Sequence, residues 1–387
     1  MIQEMETVFC DKFGTNENIQ KFFSPGRINL IGEHIDYNGG SVFPCALSIG
    51  TYGIFRKRQD NKVLCYSMNF EDLDVIEFSL QDFVYDKKDN WVNYVKAVIW
   101  AFAQKFGKIE QGFEFLCYGN IPSGSGLSSS ASLELLISKI LIDEYKINID
   151  MIEASILSQL AENKFIGVNC GIMDQFAIAM GKKDYAILLN TNTLDYKYIP
   201  AKLDNYKIVI SNTNKERKLS ESKYNERRAE CEKALSFIQK HKQVKNIADL
   251  TIDEFETIKY RIEDEICLKR ATHVVYENGR TKKAVELLQQ GDLEQFGKIL
   301  NESHKSLKEL YEVTGIELDT LVEISQQQKG VLGSRMTGAG FSGCTISIVK
   351  EDCIDKFTEV VGKKYKEKIG YEPSFYTVQI GNGTMKL

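Results

Sequence analysis

The chain has 387 residues, 43% of them hydrophobic, with 21 Phe and 18 Tyr, which is enough for packed cores and excludes general disorder. Its formal net charge of -5 gives no broad basic field for nucleic acid or an anionic membrane, so any anionic ligand must be held locally. The first residues, MIQEMETVFC, lack the basic start and apolar core of a secretory signal, and no apolar run approaches the roughly 18 residues of a membrane span. A cytoplasmic protein with no membrane or nucleic-acid partner is expected. The nine cysteines are scattered singly with no C-x-x-C pair and read as reduced, buried thiols.

In chain order, the first dense cluster is PGRINLIGEHIDYNGG, Pro25 to Gly40, which crowds Arg27, Glu33, His34 and Asp36 into about a dozen positions. SVFPCALSIGTYGIF and GFEFLCYGNI are rich in branched and aromatic residues and predict strands on either side of NWVNYVKAV, where Trp91 reads as a core aromatic. Next comes IPSGSGLSSSASLELL, with Gly124, Gly126 and a run of hydroxyls ahead of an amphipathic helix. Glycines let backbone amides approach a ligand, and a helix start offers unpaired N–H groups and a positive dipole end, so the stretch suits a phosphate. An ordinary serine-rich N-cap reads equally well. The Walker pattern G-x-x-x-x-G-K-[ST] is absent.

Further on, GVNCGIMDQFAIAMG places Asp174 in an apolar run, either as surface decoration or as a carboxylate held in a cleft, and Glu162 lies twelve residues before it. Phosphoryl transfer needs one acid for magnesium and another for the acceptor hydroxyl, so the pair fits that chemistry. No Pro- or Ser-rich linker marks a boundary, and the pattern change near residues 195 to 205 places one there. After the strand-like YKIVISNT, the chain is charged and helical from about Ser220 to Leu300. SRMTGAGFSGCTISIV runs from a glycine-rich loop into a strand, the wrong order for a Rossmann unit. The lysine-rich GKKYKEK reads as a solvated helix face. The closing SFYTVQIG is expected to return to a sheet, possibly of the N-terminal domain.

Together these segments resemble the GHMP kinase family in its galactokinase branch. PGRINLIGEHIDYNGG is similar to the galactokinase signature, GSGLSSSASLE to the family's phosphate loop and RMTGAGFSGC to its third motif, while CGIMDQF, ESKYNERRAECE and RATHVVYENGRT resemble further galactokinase segments. The resemblance implies a two-domain α/β (α+β) fold with its active site in the interdomain cleft. Residues 1–200 would hold the signature and phosphate loop, and residues 201–387 the third motif.

It further implies an ATP- and Mg²⁺-dependent kinase, a monomer, acting on the anomeric hydroxyl of galactose. Glu33, His34, Asp36, Gly171, Asp174 and Tyr224 would bind the sugar, with charge-assisted hydrogen bonds from the ionised groups. Asp174 would be catalytic, and Arg27 beside it would offset charge developing in transfer. Gly124, Ser125, Gly126, Leu127, Ser128, Ser129 and Ser130 would wrap the phosphates, Ser130 and Glu162 would hold the metal, and Trp91 would lie near the adenine. Ala339 and Ser342 stand where many galactokinases carry glycine, which questions the third motif's backbone if either needs a positive φ. The resemblance extends to N-acetylgalactosamine and arabinose kinases, and to non-catalytic galactose and ATP sensors that lack the Ser-Ala pair kept here as Ser130-Ala131.

Overall fold

The computed structural model describes residues 1–122, 125–215 and 220–387. In the first half, helix α1 (Ile2–Phe13) leads into strands β1 (Gln20–Asn29), β2 (Ser41–Val42), β3 (Pro44–Lys57), β4 (Lys62–Ser67) and β5 (Ile76–Ser79). Helix α2 (Val92–Phe106), strand β6 (Phe113–Gly119), helices α3 (Ser129–Tyr145), α4 (Met151–Ala161) and α5 (Met173–Met180), and strands β7 (Tyr185–Asn190) and β8 (Tyr196–Pro200) follow. The second half runs through β9 (Tyr206–Asn212), α6 (Ser220–Gln239), α7 (Ile252–Ile258), α8 (Glu265–Gln290), α9 (Leu293–Ser306), α10 (Ile316–Gln326), β10 (Val331–Thr337), β11 (Cys344–Lys350), α11 (Ile354–Ile369), β12 (Ser374–Val378) and β13 (Met385–Lys386).

The strands form a six-stranded sheet in the order β13-β1-β3-β6-β4-β5, a four-stranded sheet β10-β11-β9-β12, and a three-stranded sheet β2-β7-β8. The closing segment expected to return to a sheet does so: Ser374–Val378 pairs with β9, Ile380 then bridges to Leu47 of β3, and Met385–Lys386 pairs with Phe22 and Phe23 of β1.

The predicted helix after the phosphate loop is α3, whose apolar positions Leu133, Leu136, Ile137, Ile140 and Leu141 are all buried. They pack with α2 and with Phe55, Phe113 and Phe115 of the large sheet, and burying each such side chain contributes roughly 1.5–3 kcal/mol. A second cluster joins Ile28, Leu30 and Ile31 of the signature to Ile208, Ile210, Ile346 and Ile348 of the four-stranded sheet, so the signature is seated between the two sheets. The lysines of GKKYKEK lie on α11, where Lys363, Lys364, Lys366 and Lys368 are exposed. All nine cysteines are free thiols, six of them buried.

Candidate active site

A cavity of about 650 Å³ opens where β1, the start of α3, α5, α6 and the loop after β10 converge, a size that suits a small-molecule ligand. Its wall includes every sugar-side candidate: Arg27, Glu33, His34, Asp36, Gly171, Asp174 and Tyr224. On the other side stand Ser125, Gly126, Ser128, Ser129, Ser130 and Glu162.

Arg27 projects from β1 and is 4% exposed; Asp174 sits in the first turn of α5. Arg27 Nε donates to Asp174 Oδ1 at 2.7 Å, Nη2 donates to Oδ2, and Nη1 donates to the Gly126 carbonyl at 2.7 Å. The Ser128 hydroxyl also donates to Asp174 Oδ2. A carboxylate offers about four acceptor positions, so among the described residues these bonds occupy both on Oδ2 and one on Oδ1, leaving one on Oδ1 for a ligand hydroxyl. Burial opposes the Arg27 charge, but Asp174 beside it outweighs burial and the guanidinium pKa ends up raised.

Ser128 bears on the two readings of the serine run. It occupies the N-cap of α3 with a left-handed backbone, φ 63° and ψ 55°, yet its side chain makes no cap hydrogen bond. With its hydroxyl turned to Asp174, Ser128 does not cap the first amides of α3, and the N–H groups of a helix start favour an anion.

Asp36 lies against Gly171, where a Cβ would fall 1.8 Å from Asp36 Oδ2, so any larger residue there would have to push the Asp36 carboxylate aside. Burial first, and then the charge of Asp174, push the Asp36 carboxyl up to about 7. Glu33 is 1% exposed, and its carboxylate accepts from Asn29 Nδ2 at 3.0 Å and from the Gly338 amide at 2.8 Å, with Arg335 Nη2 at 3.3 Å. His34, at φ 62°, lines the cavity, but both ring nitrogens have protein partners: Tyr37 Oη at 2.9 Å on Nδ1 and the Ala339 carbonyl at 3.0 Å on Nε2. Tyr224 reaches the cavity from α6, its ring 5.7 Å from that of His34.

Ser130 Oγ lies 3.4 Å from Glu162 Oε1, and Glu162 Oε2 accepts from Gln175 Nε2 at 2.7 Å. Gln175 also reaches the fully buried Glu134 at 3.2 Å. Burial, then the charge of Asp174, raise the Glu162 carboxyl to about 7. One hydroxyl and one carboxylate in an acidic, desolvated corner fit Mg²⁺, which keeps several waters and takes its other ligands from phosphate oxygens. Among the described residues, no group of three His, Cys, Asp or Glu forms a metal site on its own.

Two sequence-based assignments are placed away from the cavity, and a third falls outside the described residues. Trp91, at the N-terminal end of α2, is 7% exposed and packs into the core beside Phe115; it does not line the cavity, whereas Tyr94, one turn on, does. The Leu127 side chain is fully buried in the core, and only its carbonyl acts locally, accepting from the Arg27 amide at 3.2 Å. Gly124 lies outside the described residues. In the third motif the left-handed positions are Gly338, Gly340, Phe341 and Gly343; neither Ala339 nor Ser342 has a positive φ, so their side chains impose no backbone strain. Gly338 is needed for closeness as well, since a Cβ there would meet the Gly126 carbonyl at 3.0 Å.

Comparison with known proteins gives the family. The galactokinase galactose-binding signature matches residues 7–57, the GHMP kinases N terminal domain residues 93–182, and the GHMP kinases C terminal domain residues 284–367. A galactokinase of Clostridium acetobutylicum is 62% identical over 371 residues, covering 96% of this chain and 95% of that protein. The chain belongs to the galactokinase family.

Another galactokinase, from Fusobacterium nucleatum, is 56% identical and covers both chains in full. The crystal structure of Lactococcus lactis galactokinase complexed with galactose superposes with a TM-score of 0.97 at 50% identity, covering 100% of each chain. Mevalonate kinase of Methanococcus jannaschii, at 20% identity and a TM-score of 0.65 over 94% of this chain and 98% of that one, shares the fold. The galactokinase signature match includes Arg27, Glu33, His34 and Asp36, and the N-terminal domain match includes Ser128, Glu162 and Asp174.

Two buried residues behind the cavity wall had no sequence signal of their own. Gln175 follows Asp174 directly but joins Glu134 and Glu162 only after folding. Arg335 opens RMTGAG, yet its contacts with Asn29, Leu30 and Glu33 span more than 300 positions.

Proposed function

We propose that the chain transfers the γ-phosphoryl group of ATP to the anomeric hydroxyl of α-D-galactose, giving galactose 1-phosphate and ADP. The observation that carries this reading is the placement of Asp174: among the described residues one acceptor position on Oδ1 has no partner, and the carboxylate lies between the sugar-side residues and the start of α3, which Ser128 does not cap. The galactose named in the L. lactis structure supports the choice of sugar.

In this reading the anomeric hydroxyl donates to Asp174 Oδ1, which holds the oxygen in line with the phosphorus and takes its proton as the new P–O bond forms. Arg27 fixes the carboxylate through two nitrogens and faces the charge that builds on the transferring group. The amides at the start of α3 and the hydroxyls of Ser129 and Ser130 bind phosphate oxygens. Ser130 and Glu162 would hold Mg²⁺, which when bound supplies positive charge between the phosphates. Glu33, Asp36, Gly171 and Tyr224 bind the remaining sugar hydroxyls. The same reading takes the chain as a cytoplasmic monomer divided near residue 200, which is supported by β8 ending at Pro200 and β9 opening a different sheet at Tyr206.

A coupled ADP-release assay with galactose, N-acetylgalactosamine, arabinose and glucose tests the reading. Galactose should be the preferred substrate. Glucose should be worse by roughly ten- to a hundredfold in kcat/KM, because an equatorial 4-hydroxyl leaves buried polar groups unpaired at about 1–3 kcal/mol each. Binding of galactose and ATP without ADP release would make the chain a sensor, and a preference for another of the sugars would reassign the substrate.

A further inference from the structure

Phe341, in the third glycine-rich loop, has φ 62°, a left-handed backbone that glycine adopts freely and a bulky aromatic residue enters only under strain. The other left-handed positions of that loop, Gly338, Gly340 and Gly343, are all glycine, so a phenylalanine kept here points to a use for its ring. The Phe341 amide is pinned. It donates to the Val313 carbonyl at 2.6 Å, and Gly340 packs so closely on the same carbonyl that a Cβ there would fall 2.2 Å from it. The ring faces α6, where the Lys223 ammonium lies 5.5 Å and the Arg227 guanidinium 5.9 Å from its centroid, both within reach of a cation–π contact. Lys223 and Arg227 are four positions apart and so act from one face of the helix.

Arg227 is 9% exposed and held in place by two further bonds: Nε donates to the Tyr311 carbonyl at 2.9 Å and Nη2 to the Glu312 carbonyl at 3.2 Å. The next carbonyl, that of Val313, is the one that holds the Phe341 amide. The helical segment Leu307–Tyr311, which continues α9, stops at Glu312 with φ 56°, and a helix end leaves carbonyls without intrahelical donors. One helix end therefore anchors both the loop and α6. The contact also joins two walls of the cavity. Ser222 and Tyr224 flank Lys223 and line the cavity from α6, while Gly338, Ala339 and Gly340 precede Phe341 and line it from the loop. We propose that Phe341 is a positioning residue for the sugar: its ring is the seat on which the first turns of α6 dock, and through α6 it sets where Tyr224 stands. The proposal rests on the reading of Tyr224 as a sugar contact given above. A leucine would keep apolar bulk at the seat but offers no π face to the two cations.

Two measurements test the proposal, and the first is independent of the substrate. With 3-fluorotyrosine in place of tyrosine, the ¹⁹F signal of Tyr224, identified by its loss in Tyr224→Phe, should move or broaden in ligand-free Phe341→Leu. Lys223→Met, which removes one cation from the helix surface, should move it in the same direction by less. A Tyr224 signal unchanged in both variants would overturn the proposal. The second is a double-mutant cycle on the galactose Kd by calorimetry, combining Phe341→Leu with Tyr224→Ala. Phe341→Leu alone should weaken galactose binding by roughly tenfold, and in the Tyr224→Ala background it should change Kd by less than about twofold, because it acts through that ring. Equal losses in both backgrounds, the result of a merely structural role, or no loss in either, would overturn it. If Phe341→Leu does not fold, the same cycle with Lys223→Met decides, with a loss of about threefold expected when Tyr224 is present and none when it is absent. A parent chain that binds no galactose would overturn the functional reading above, and the fluorine signal would then decide whether Phe341 seats α6.

Discussion

Arg27 and Asp174, 147 positions apart, meet through two hydrogen bonds, with Nε on Oδ1 at 2.7 Å and Nη2 on Oδ2. The guanidinium then has one nitrogen left, Nη1, and spends it on the Gly126 carbonyl at 2.7 Å. A single side chain thus sets both the carboxylate's orientation and its distance from the phosphate loop. A lysine would keep the charge but could not make this planar, forked contact. Arg27→Lys should therefore lower kcat by roughly ten- to a hundredfold, with a smaller change in galactose Kd by calorimetry. An unchanged kcat would show that charge alone suffices at this position.

Asp36 gives a pH prediction with a definite sign. Its carboxyl, ordinarily at 3.8, is raised to about 7 in the folded chain. Below its ordinary pKa it is protonated in both states; above that, the folded chain holds a proton the unfolded chain has released. The stability this lends is full below about pH 4, declines as pH rises, and is gone above about 7. Asp36→Asn removes the titration. Relative to the parent, the variant should gain stability by about 1 kcal/mol or more between pH 5 and pH 8, read from denaturant unfolding of the ligand-free proteins. An equal difference at both pH values would mean that Asp36 does not titrate in this window.

On the nucleotide side, Ser130→Ala removes the hydroxyl that lies 3.4 Å from Glu162. Calorimetry with galactose alone should give the parent's affinity, while turnover should fall and require more Mg²⁺ for half-saturation. A large loss of galactose affinity in the folded variant would move this serine to the sugar side.

The site was legible in sequence wherever residue type itself carried the chemistry. Arg27, Glu33 and Asp36 announced a polar site, and the glycines and serines before α3 announced close backbone approach, because both signals are local. What stayed hidden depends on pairing across distance. Ser128 looked like one of several phosphate donors, and only the fold brings its hydroxyl to Asp174, 46 positions on. Tyr37 and Tyr311 are 274 positions apart, and no spacing rule connects them. His34 was expected at the sugar by resemblance, but that its ring nitrogens meet Tyr37 and Ala339 was not legible in the sequence, because Ala339 is 305 positions away. Trp91 was assigned to adenine by resemblance, while its indole is buried beside Phe115, as expected of an aromatic entering a helix of the core. Which sheet receives the final strand was left open by the sequence for a related reason: Ser374–Val378 has the composition of any strand, and which edge it joins is decided by the sheets.

The central claim is that Asp174 receives the sugar hydroxyl on its one free acceptor position, and Asp174→Asn tests it most directly. The amide keeps the size and can still hydrogen-bond a hydroxyl, but it cannot take the proton and leaves Arg27 without its counter-charge. The variant's kcat and its galactose Kd should be measured on the same preparation, with circular dichroism confirming the fold. The account expects kcat to fall by roughly a hundredfold or more while Kd changes far less. Turnover near the parent's rate in a folded Asp174→Asn would contradict it.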